Sequence, residues 1–398
     1  MSNHYDVVIV GGGIVGLTAA ALLVKNNFSV ALIEANSFPL FNNTLTARVS
    51  AIHATSQKLF SHLGVWELIA KSASPLQKME IWDHTQQNTL HFDSSDIHKT
   101  EMGWIADNAA MIDALQHSLR GQIDLYCPNS VALFAREKNR IMLTLDNQKI
   151  IFADLVVGAD GAHSVVREQM GVQMATHAYQ QKAIIAVIET EKKHCHTAYQ
   201  KFLTTGPVAL LPLCNLQHTA LVWSADHAVS DALMKKTQGE FSDALMQALD
   251  FKLGKLTLLT ERRQFTLTMR HVDDYVTNQF ALIGDAAHTI HPLAGLGVNL
   301  GLMDAACLTE ILMQARIAKK PLEDLRYLRR YSRWRKSENT PIIASMQALK
   351  TIFALDQSPI NFLRSLGIHT VDRCGAIKDH LMKVAMGESS TLPEFLKL

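Results

Sequence analysis

The chain has 398 residues, of which 48% are hydrophobic and 19% charged, and its formal net charge is +1. This length and apolar content suit a globular protein with room for two sizeable cores. The near-zero charge argues for neither a nucleic-acid nor an acidic partner, and no apolar run approaches the ~18 residues of a membrane-spanning helix. No signal peptide is visible before the first apolar run. Five cysteines are widely spaced without a C-x-x-C and read as reduced thiols, so a cytoplasmic location is expected. There is no internal repeat and no low-complexity tract.

The first stretch, Tyr5 to Glu34, is the most informative. Tyr5 to Val10 is a short β-branched apolar run and reads as a buried strand. Gly11-Gly-Gly-Ile-Val-Gly16 fits G-x-G-x-x-G, Ile14 to Asn26 reads as a helix, and Ser29 to Glu34 is a second strand ending on a carboxylate. Strand, glycine turn, helix, strand and acid within about 30 residues is the context of a dinucleotide-binding unit. Gly11 permits the tight turn, Gly13 lets a pyrophosphate approach the backbone, and Gly16 lets helix and strand pack closely. The helix N-terminus offers free N–H groups to phosphates. Glu34 can accept from a ribose and would repel a 2′-phosphate, which favours FAD or NAD over NADP.

Asn36 to Thr46 reads as a loop, followed by Arg48-Val-Ser-Ala-Ile52 and a helix from His53 to Leu63 ended by Gly64. Arg48 is placed either to meet cofactor phosphate or flavin oxygens or to form a surface ion pair. Trp66 to Ala70 extends the helical region. Met79 to Phe92 alternates like a hairpin, and Asp107 to Arg120 reads as a helix. Ile123 to Tyr126, Val131 to Arg136, Ile141 to Leu145 and Lys149 to Phe152 read as strands.

A second informative stretch runs from Ala153 to Arg167. Leu155 to Val157 are a buried strand, Asp160-Gly161 turns the chain, and Ser164 starts a helix. Asp160 is either a ligand contact at a strand's carboxyl end or a turn residue, and Ser164 fits an N-cap. Ala175 to Leu267 reads as a sheet-built second domain. Its strands are Ala183–Glu189, Thr197–Leu203, Pro207–Leu213, Thr219–Trp223 and Lys255–Leu259, with a helix from Phe241 to Leu253. His194-Cys195-His196 has metal-binding residue types, but neighbours on a strand point to opposite faces.

The third stretch, Phe280 to Gly301, has a strand to Ile283, Gly284-Asp285 at its end, and Gly295-Leu-Gly297 leading into a helix from Val298 to Ala315. Such a helix N-terminus either stabilises negative charge on a reduced flavin or belongs to a plain strand–loop–helix connection. His288 and His291 lie in a loop with Pro292, a poor setting for a metal pair. The basic run Leu325 to Lys336 reads as a solvated or ion-pairing helix face. Beyond Pro341, Ile342–Leu355, Ile360–Ile368 and Ala376–Ala385 read as apolar-rich helices that cover the core, pair with a protein or contact a membrane.

Together these stretches resemble the FAD-dependent aromatic hydroxylases related to p-hydroxybenzoate hydroxylase, and more narrowly the bacterial ubiquinone-biosynthesis hydroxylases. The resemblance is carried by Gly11–Gly16, Arg48-Val-Ser-Ala-Ile52, Gly158 to Arg167, Gly284 to Pro292 and Gly297-Val-Asn-Leu-Gly301, with Gly206-Pro207 before Leu210-Leu-Pro-Leu213. It implies an α/β fold: a Rossmann-type FAD-binding domain (residues 1–72, 101–174 and 275–340), a β-sheet substrate domain (73–100 and 175–274) and a C-terminal helical region (341–398). Asp304-Ala305, Tyr327 to Tyr331 and Leu392-Pro-Glu-Phe395 resemble the branch that hydroxylates ring position C5; sister branches act at C6 or C1.

By this resemblance Gly11, Gly13, Gly16, Glu34, Arg48 and Asp285 bind FAD, and Asp160 closes the flavin and reductant side. Gly297, Val298 and Asn299 lie at the isoalloxazine. Reduced flavin and O2 would form a C4a-hydroperoxide that hydroxylates a polyprenylated phenol, with NAD(P)H or another donor as reductant. No metal is implied, and no acid–base residue is singled out. A second G-x-G-x-x-G after a strand is absent, so a pyridine nucleotide has no Rossmann unit of its own. The substrate is a membrane lipid, so peripheral contact with the inner face of the cytoplasmic membrane and with other ubiquinone-biosynthesis proteins is expected, and a homo-oligomer is left open. One position departs: the family has glutamine where this chain has Leu296, which removes an amide close to the flavin. The rival readings are a same-fold hydroxylase or epoxidase of another substrate, and a non-catalytic flavoprotein scaffold.

Overall fold

The structure, a computed structural model, describes residues 3–39, 41–42, 45–84, 89–137, 139–289, 297–354, 375–388 and 391–397. His4–Val10 is the middle strand of a parallel array in the order Phe280–Leu282, Ile150–Gly158, His4–Val10, Val30–Ile33, Asp124–Tyr126. Val7, Val8 and Ile9 have no exposure. A strand covered on both faces must be apolar throughout, so the run is continuous rather than alternating. The antiparallel hairpin Val131–Arg136 and Ile141–Leu145 and the short strand Val276–Thr277 complete an eight-stranded sheet.

Helix Ile14–Lys25 covers this sheet, and helix Gly297–Ile317 packs on it. The two approach closely because Gly301 has no side chain: a Cβ there would lie 2.6 Å from Val15 Cγ2. Helix Gly297–Ile317 is buried almost all round, as its lack of a polar stripe requires. Asp107 caps helix Asn108–Leu119 by accepting from Ala109 N at 2.7 Å.

A nine-stranded sheet forms the second layer, in the order His288–Thr289, Arg263–Val272, Met174–Thr190, His218–Asp226, Gly206–Pro212, Thr197–Leu203, Lys78–Asp83, Thr89–Asp93, with Leu256–Leu258 beside Met174–Thr190. A three-stranded sheet, Val49–His53, Gly103–Asp107 and Ser74–Leu76, lies between the larger elements in sequence.

Several elements differ from the sequence reading. Lys149–Phe152 and Leu155–Val157 are one strand, Ile150–Gly158. Its polar middle is tolerated because Asp154 faces outward and lies 2.9 Å from His4 Nε2. The strand expected over Ala183–Glu189 is 17 residues long, Met174–Thr190, and its polar first half pairs with Arg263–Val272. That partner strand and helix His227–Lys235 had no counterpart in the sequence reading. The helix expected to stop before Pro341 runs through it, as Leu325–Ala354.

The basic run in that helix is not simply a solvated face. Arg326, Arg329, Arg330 and Arg333 are exposed, but Leu328, Tyr331 and Arg335 are buried. The closing segment folds back on the body: Met382, Met386 and Leu396 are buried, and Thr55 Oγ1 donates to Gly387 O at 2.7 Å. Core covering therefore accounts for part of the C-terminal helices. The expected helix Ile360–Ile368 lies outside the described residues.

Candidate active site

The parallel strands end at one edge, and backbone bonds beyond their ends tie the conspicuous motifs together. Gly11 N donates to Ile33 O (2.8 Å), Ala159 N to Val10 O (2.8 Å), Ile283 N to Gly158 O (3.0 Å) and Glu34 N to Tyr126 O (2.9 Å). The glycine turn, Glu34, Asp160 and Asp285 thus share the carboxyl end of the sheet, where open α/β sheets hold ligands.

The three motif glycines separate into two kinds. Gly11 has φ +109°, and a Cβ there would lie 2.3 Å from Ala159 O. A Cβ on Gly16 would lie 2.0 Å from Gly11 O. Both are demanded by the fold itself. Gly13 is exposed, has φ −70° and ψ 179°, and a Cβ there would meet nothing within 4 Å. The protein has no packing reason for glycine at 13; a ligand lying against the backbone supplies one. Gly13 is also the N-cap of helix Ile14–Lys25 and brings no side-chain cap, so the first N–H groups of that helix are available to an anion.

Glu34 Oε2 accepts from Gly12 N at 2.6 Å and Oε1 from Asn36 N at 2.9 Å. This holds the carboxylate at the turn with further acceptor positions unused. Asp160 does the work of a cap: Oδ2 accepts from Val165 N at 2.7 Å, while Ser164 Oγ accepts from Arg167 N at 2.9 Å. Its other oxygen, Oδ1, is buried without a partner, and burial raises its carboxyl above the usual range. Arg167, which the sequence reading gave no role, is buried and donates to Ala286 O (3.0 Å) and Ala162 O (2.9 Å), locking the second motif to the third.

Asp285 is solvent-accessible on a rim dense with protein atoms, which raises its carboxyl against the opposing pull of His288 and Arg270. Arg48 is exposed and has no side-chain partner among the described residues. Its strand is nonetheless brought to the third motif by Asn299. That side chain is buried, donates to Ala51 O at 2.7 Å and accepts from His53 N at 3.2 Å. Gly297 and Val298 open the same helix. His291, Gly295 and Leu296 lie outside the described residues.

Beneath Gly284 lies a buried charge network. Asp304 has no exposure, and its Oδ2 accepts from Gly284 N at 3.0 Å and lies 2.5 Å from His288 Nε2. Its Oδ1 accepts from Arg335 Nε at 2.7 Å, and Arg335 donates to Asn339 Oδ1 at 2.6 Å. Burial pushes the Asp304 carboxyl up, but His288 and Arg335 outweigh it and hold the pKa below the ordinary value. His288 Nε2 is thus engaged by the Asp304 carboxylate.

The His194-Cys195-His196 stretch is a turn, not a strand: Cys195 and His196 have positive φ, and His194 Nε2 lies 3.1 Å from both Leu213 O and Asn215 O. No cluster of metal-ligating side chains occurs among the described residues.

Next to Asn299 is a cavity of about 110 Å³ that no local pattern along the chain announces. Its wall includes Ala51, Ile52, Phe92, Trp104 and Met382, with His53 the one titratable side chain among the described lining residues. Leu381 lines it and is 42% exposed, so the cavity reaches the surface at the C-terminal helix Gly375–Ala385. Lys378 Nζ pairs with Asp96 Oδ2 at 2.8 Å, and Lys99 pairs with Glu388, holding this helix in place.

The open space over Gly13, the uncapped helix start, the fixed Glu34 carboxylate and the orphaned Asp160 oxygen all fit an FAD. Comparison with known proteins agrees. The family model described as an FAD binding domain matches residues 4–332. The chain belongs to this family and is an FAD-dependent monooxygenase, using O2, with NAD(P)H or another donor for reduction. A ubiquinone biosynthesis monooxygenase of Drosophila melanogaster is 32% identical, covering 97% of this chain and 91% of its own length. The 3-demethoxyubiquinol 3-hydroxylase of Escherichia coli is also 32% identical, covering 96% of this chain and 98% of its own. Within the family, therefore, the chain falls among the ubiquinone-biosynthesis hydroxylases. The p-nitrophenol 4-monooxygenase of Pseudomonas putida has the same p-hydroxybenzoate hydroxylase-like fold, with a TM-score of 0.78 at 17% identity over 97% of this chain and 99% of its own.

Proposed function

We propose that the protein hydroxylates the aromatic ring of a polyprenylated phenol during ubiquinone biosynthesis, at C5. The observation that carries the reading is an apolar cavity walled by Ala51, Ile52 and Asn299, the last of these on the helix that starts at Gly297, and open at the exposed Leu381. A phenol ring is of the size to enter it, and the prenyl tail has an exit along the C-terminal helix.

Bound FAD supplies the oxygen-activating redox chemistry. The chain's own residues do the rest. Gly11, Gly13 and Gly16 shape the turn that receives the pyrophosphate, and Glu34 takes the ribose. Arg48, Asp160 and Asp285 face the cofactor's polar edges, while Gly297, Val298 and Asn299 offer backbone groups to the flavin ring. The Met- and Phe-lined wall excludes water from the reacting centre. In this reading residues 1–72, 101–174 and 275–340 carry the flavin, 73–100 and 175–274 the substrate, and 341–398 finish the substrate side. The C5 assignment rests on the Asp304-Ala305, Tyr327–Tyr331 and Leu392–Phe395 runs; relatives acting elsewhere on the ring share the main motifs. In cells lacking the protein, the compound that accumulates is expected to be a prenylphenol without oxygen at C5. An intermediate that carries C5 oxygen and lacks it only at C6 or C1 overturns the position and keeps the class.

We also infer that the protein works as a peripheral partner of the membrane and of other ubiquinone-biosynthesis proteins. No helix among the described residues is long and apolar enough to cross a membrane, yet Leu381 and Val384 stand 42% and 51% exposed on the helix at the cavity mouth. Replacing both with aspartate is expected to weaken the affinity for phospholipid vesicles, read by co-sedimentation, roughly a hundredfold or more, since about 1.5–3 kcal/mol per side chain is lost from the apolar contact, with FAD content unchanged. Unaltered vesicle binding would remove this helix from the membrane contact.

A further inference from the structure

His53 is the last residue of strand Val49–His53 and the N-cap of helix Ala54–His62. Its ring Nδ1 accepts from Ser56 N at 3.0 Å, and its backbone N–H donates to Asn299 Oδ1 at 3.2 Å. An imidazole that accepts at Nδ1 carries its proton on Nε2. Burial lowers the pKa of His53 to about 4, so this neutral form persists at physiological pH.

Nε2 has no hydrogen-bond partner among the described residues. The space beside it is kept by Gly387, where a Cβ would lie 2.6 Å from Nε2. Around the ring, the cavity wall is Leu76, Met79, Phe92, Met382 and Met386. An N–H donor fixed in direction, facing an apolar cavity and unpaired within the described protein lacks only an acceptor.

We propose that His53 is the residue that recognises the ring hydroxyl of the substrate: Nε2–H donates to the phenol oxygen and thereby sets both the choice of phenols over hydrocarbons and the angle of the ring in the cavity. The proposal rests on the reading of the substrate as a prenylphenol. It does not require His53 to move a proton; Nδ1 stays engaged with Ser56 throughout.

The test uses the FAD-loaded protein and two ligands with the same tail, 2-geranylphenol and geranylbenzene, with binding followed by quenching of protein fluorescence. The wild type is expected to bind the phenol about tenfold more tightly than the hydrocarbon, the scale of one hydrogen bond. In His53→Asn the side-chain oxygen can keep the helix cap, but nothing reaches the Nε2 position. Its preference is expected to fall to within about twofold, with the hydrocarbon affinity unchanged. His53→Gln, whose amide can extend an N–H further into the cavity, is expected to recover part of the preference.

An asparagine variant that keeps the tenfold preference overturns the proposal, as does one that weakens both ligands equally. Equal binding of both ligands by the wild type overturns it without recourse to any variant and leaves the substrate class standing. A wild type that binds neither ligand overturns the prenylphenol reading and the proposal with it.

Discussion

Valine at position 13 is expected to give a folded protein without colour. Gly13 sits at φ −70° and ψ 179°, an extended conformation open to any residue, and its added Cβ would meet no protein atom within 4 Å. Thermal stability of the cofactor-free Gly13→Val protein should therefore match the cofactor-free wild type to within about 0.5 kcal/mol, as for surface substitutions generally. The side chain would instead occupy the approach of a pyrophosphate to the backbone. Losing two charge-assisted hydrogen bonds of about 1.5–3 kcal/mol each weakens FAD roughly a hundredfold or more. Gly11→Val and Gly16→Val serve as the contrast, because their side chains collide with Ala159 O and Gly11 O, and they are expected not to fold. Full flavin content in folded Gly13→Val, read from the visible spectrum, would mean that the turn is not the phosphate site.

A comparably large effect is expected from Asp304→Ala. The substitution leaves the buried Arg335 guanidinium and His288 without their carboxylate. Stranding one partner of a buried pair costs about 3–5 kcal/mol, and Gly284 N loses its acceptor as well. Urea denaturation should show a loss of that size, most of it recovered in Asp304→Leu combined with Arg335→Met, where no charge is stranded. The Asp304 carboxyl has a lower pKa folded than unfolded. Its contribution is present above the unfolded value of about 3.9 and is lost as pH falls through the folded one. The wild type should accordingly lose more stability than the double variant on acidification below about pH 4. A loss under about 1 kcal/mol for Asp304→Ala would show that the network is solvated in practice.

The cofactor half of the site was legible in the sequence because its demands are local. A tight turn, a close approach and a helix start are written in Gly11 to Gly16, and an acid at a strand end is written at Glu34. The polar network was half legible. The basic run hid Arg335, whose carboxylate partner is 31 residues away in sequence. Its inward direction was nevertheless encoded by Leu328, Tyr331, Arg335 and Asn339, spaced three and four apart along one helix face, all four of them buried.

The strands Met174–Thr190 and Arg263–Val272 were underread because half of each is polar, and the polar start of the first becomes a strand by pairing with the second, some 90 residues on in the chain. The substrate half was not legible. Its wall joins residues near 52, 79, 104, 299 and 382, and nothing in local periodicity announces such a meeting. His53 illustrates the limit: as a sequence feature it is a helix start, and only the folded chain shows its ring turned to an apolar cavity.

Oxygen transfer from FAD chemistry to a prenylated phenol ring is the central proposed activity. The most direct measurement incubates the FAD-loaded protein with a prenylphenol, a reductant and ¹⁸O2 and weighs the product by mass spectrometry. One ¹⁸O atom per ring, placed at C5, is the predicted result. Reductant consumption that yields only hydrogen peroxide from every prenylphenol offered, or a product whose new oxygen comes from water, would contradict it.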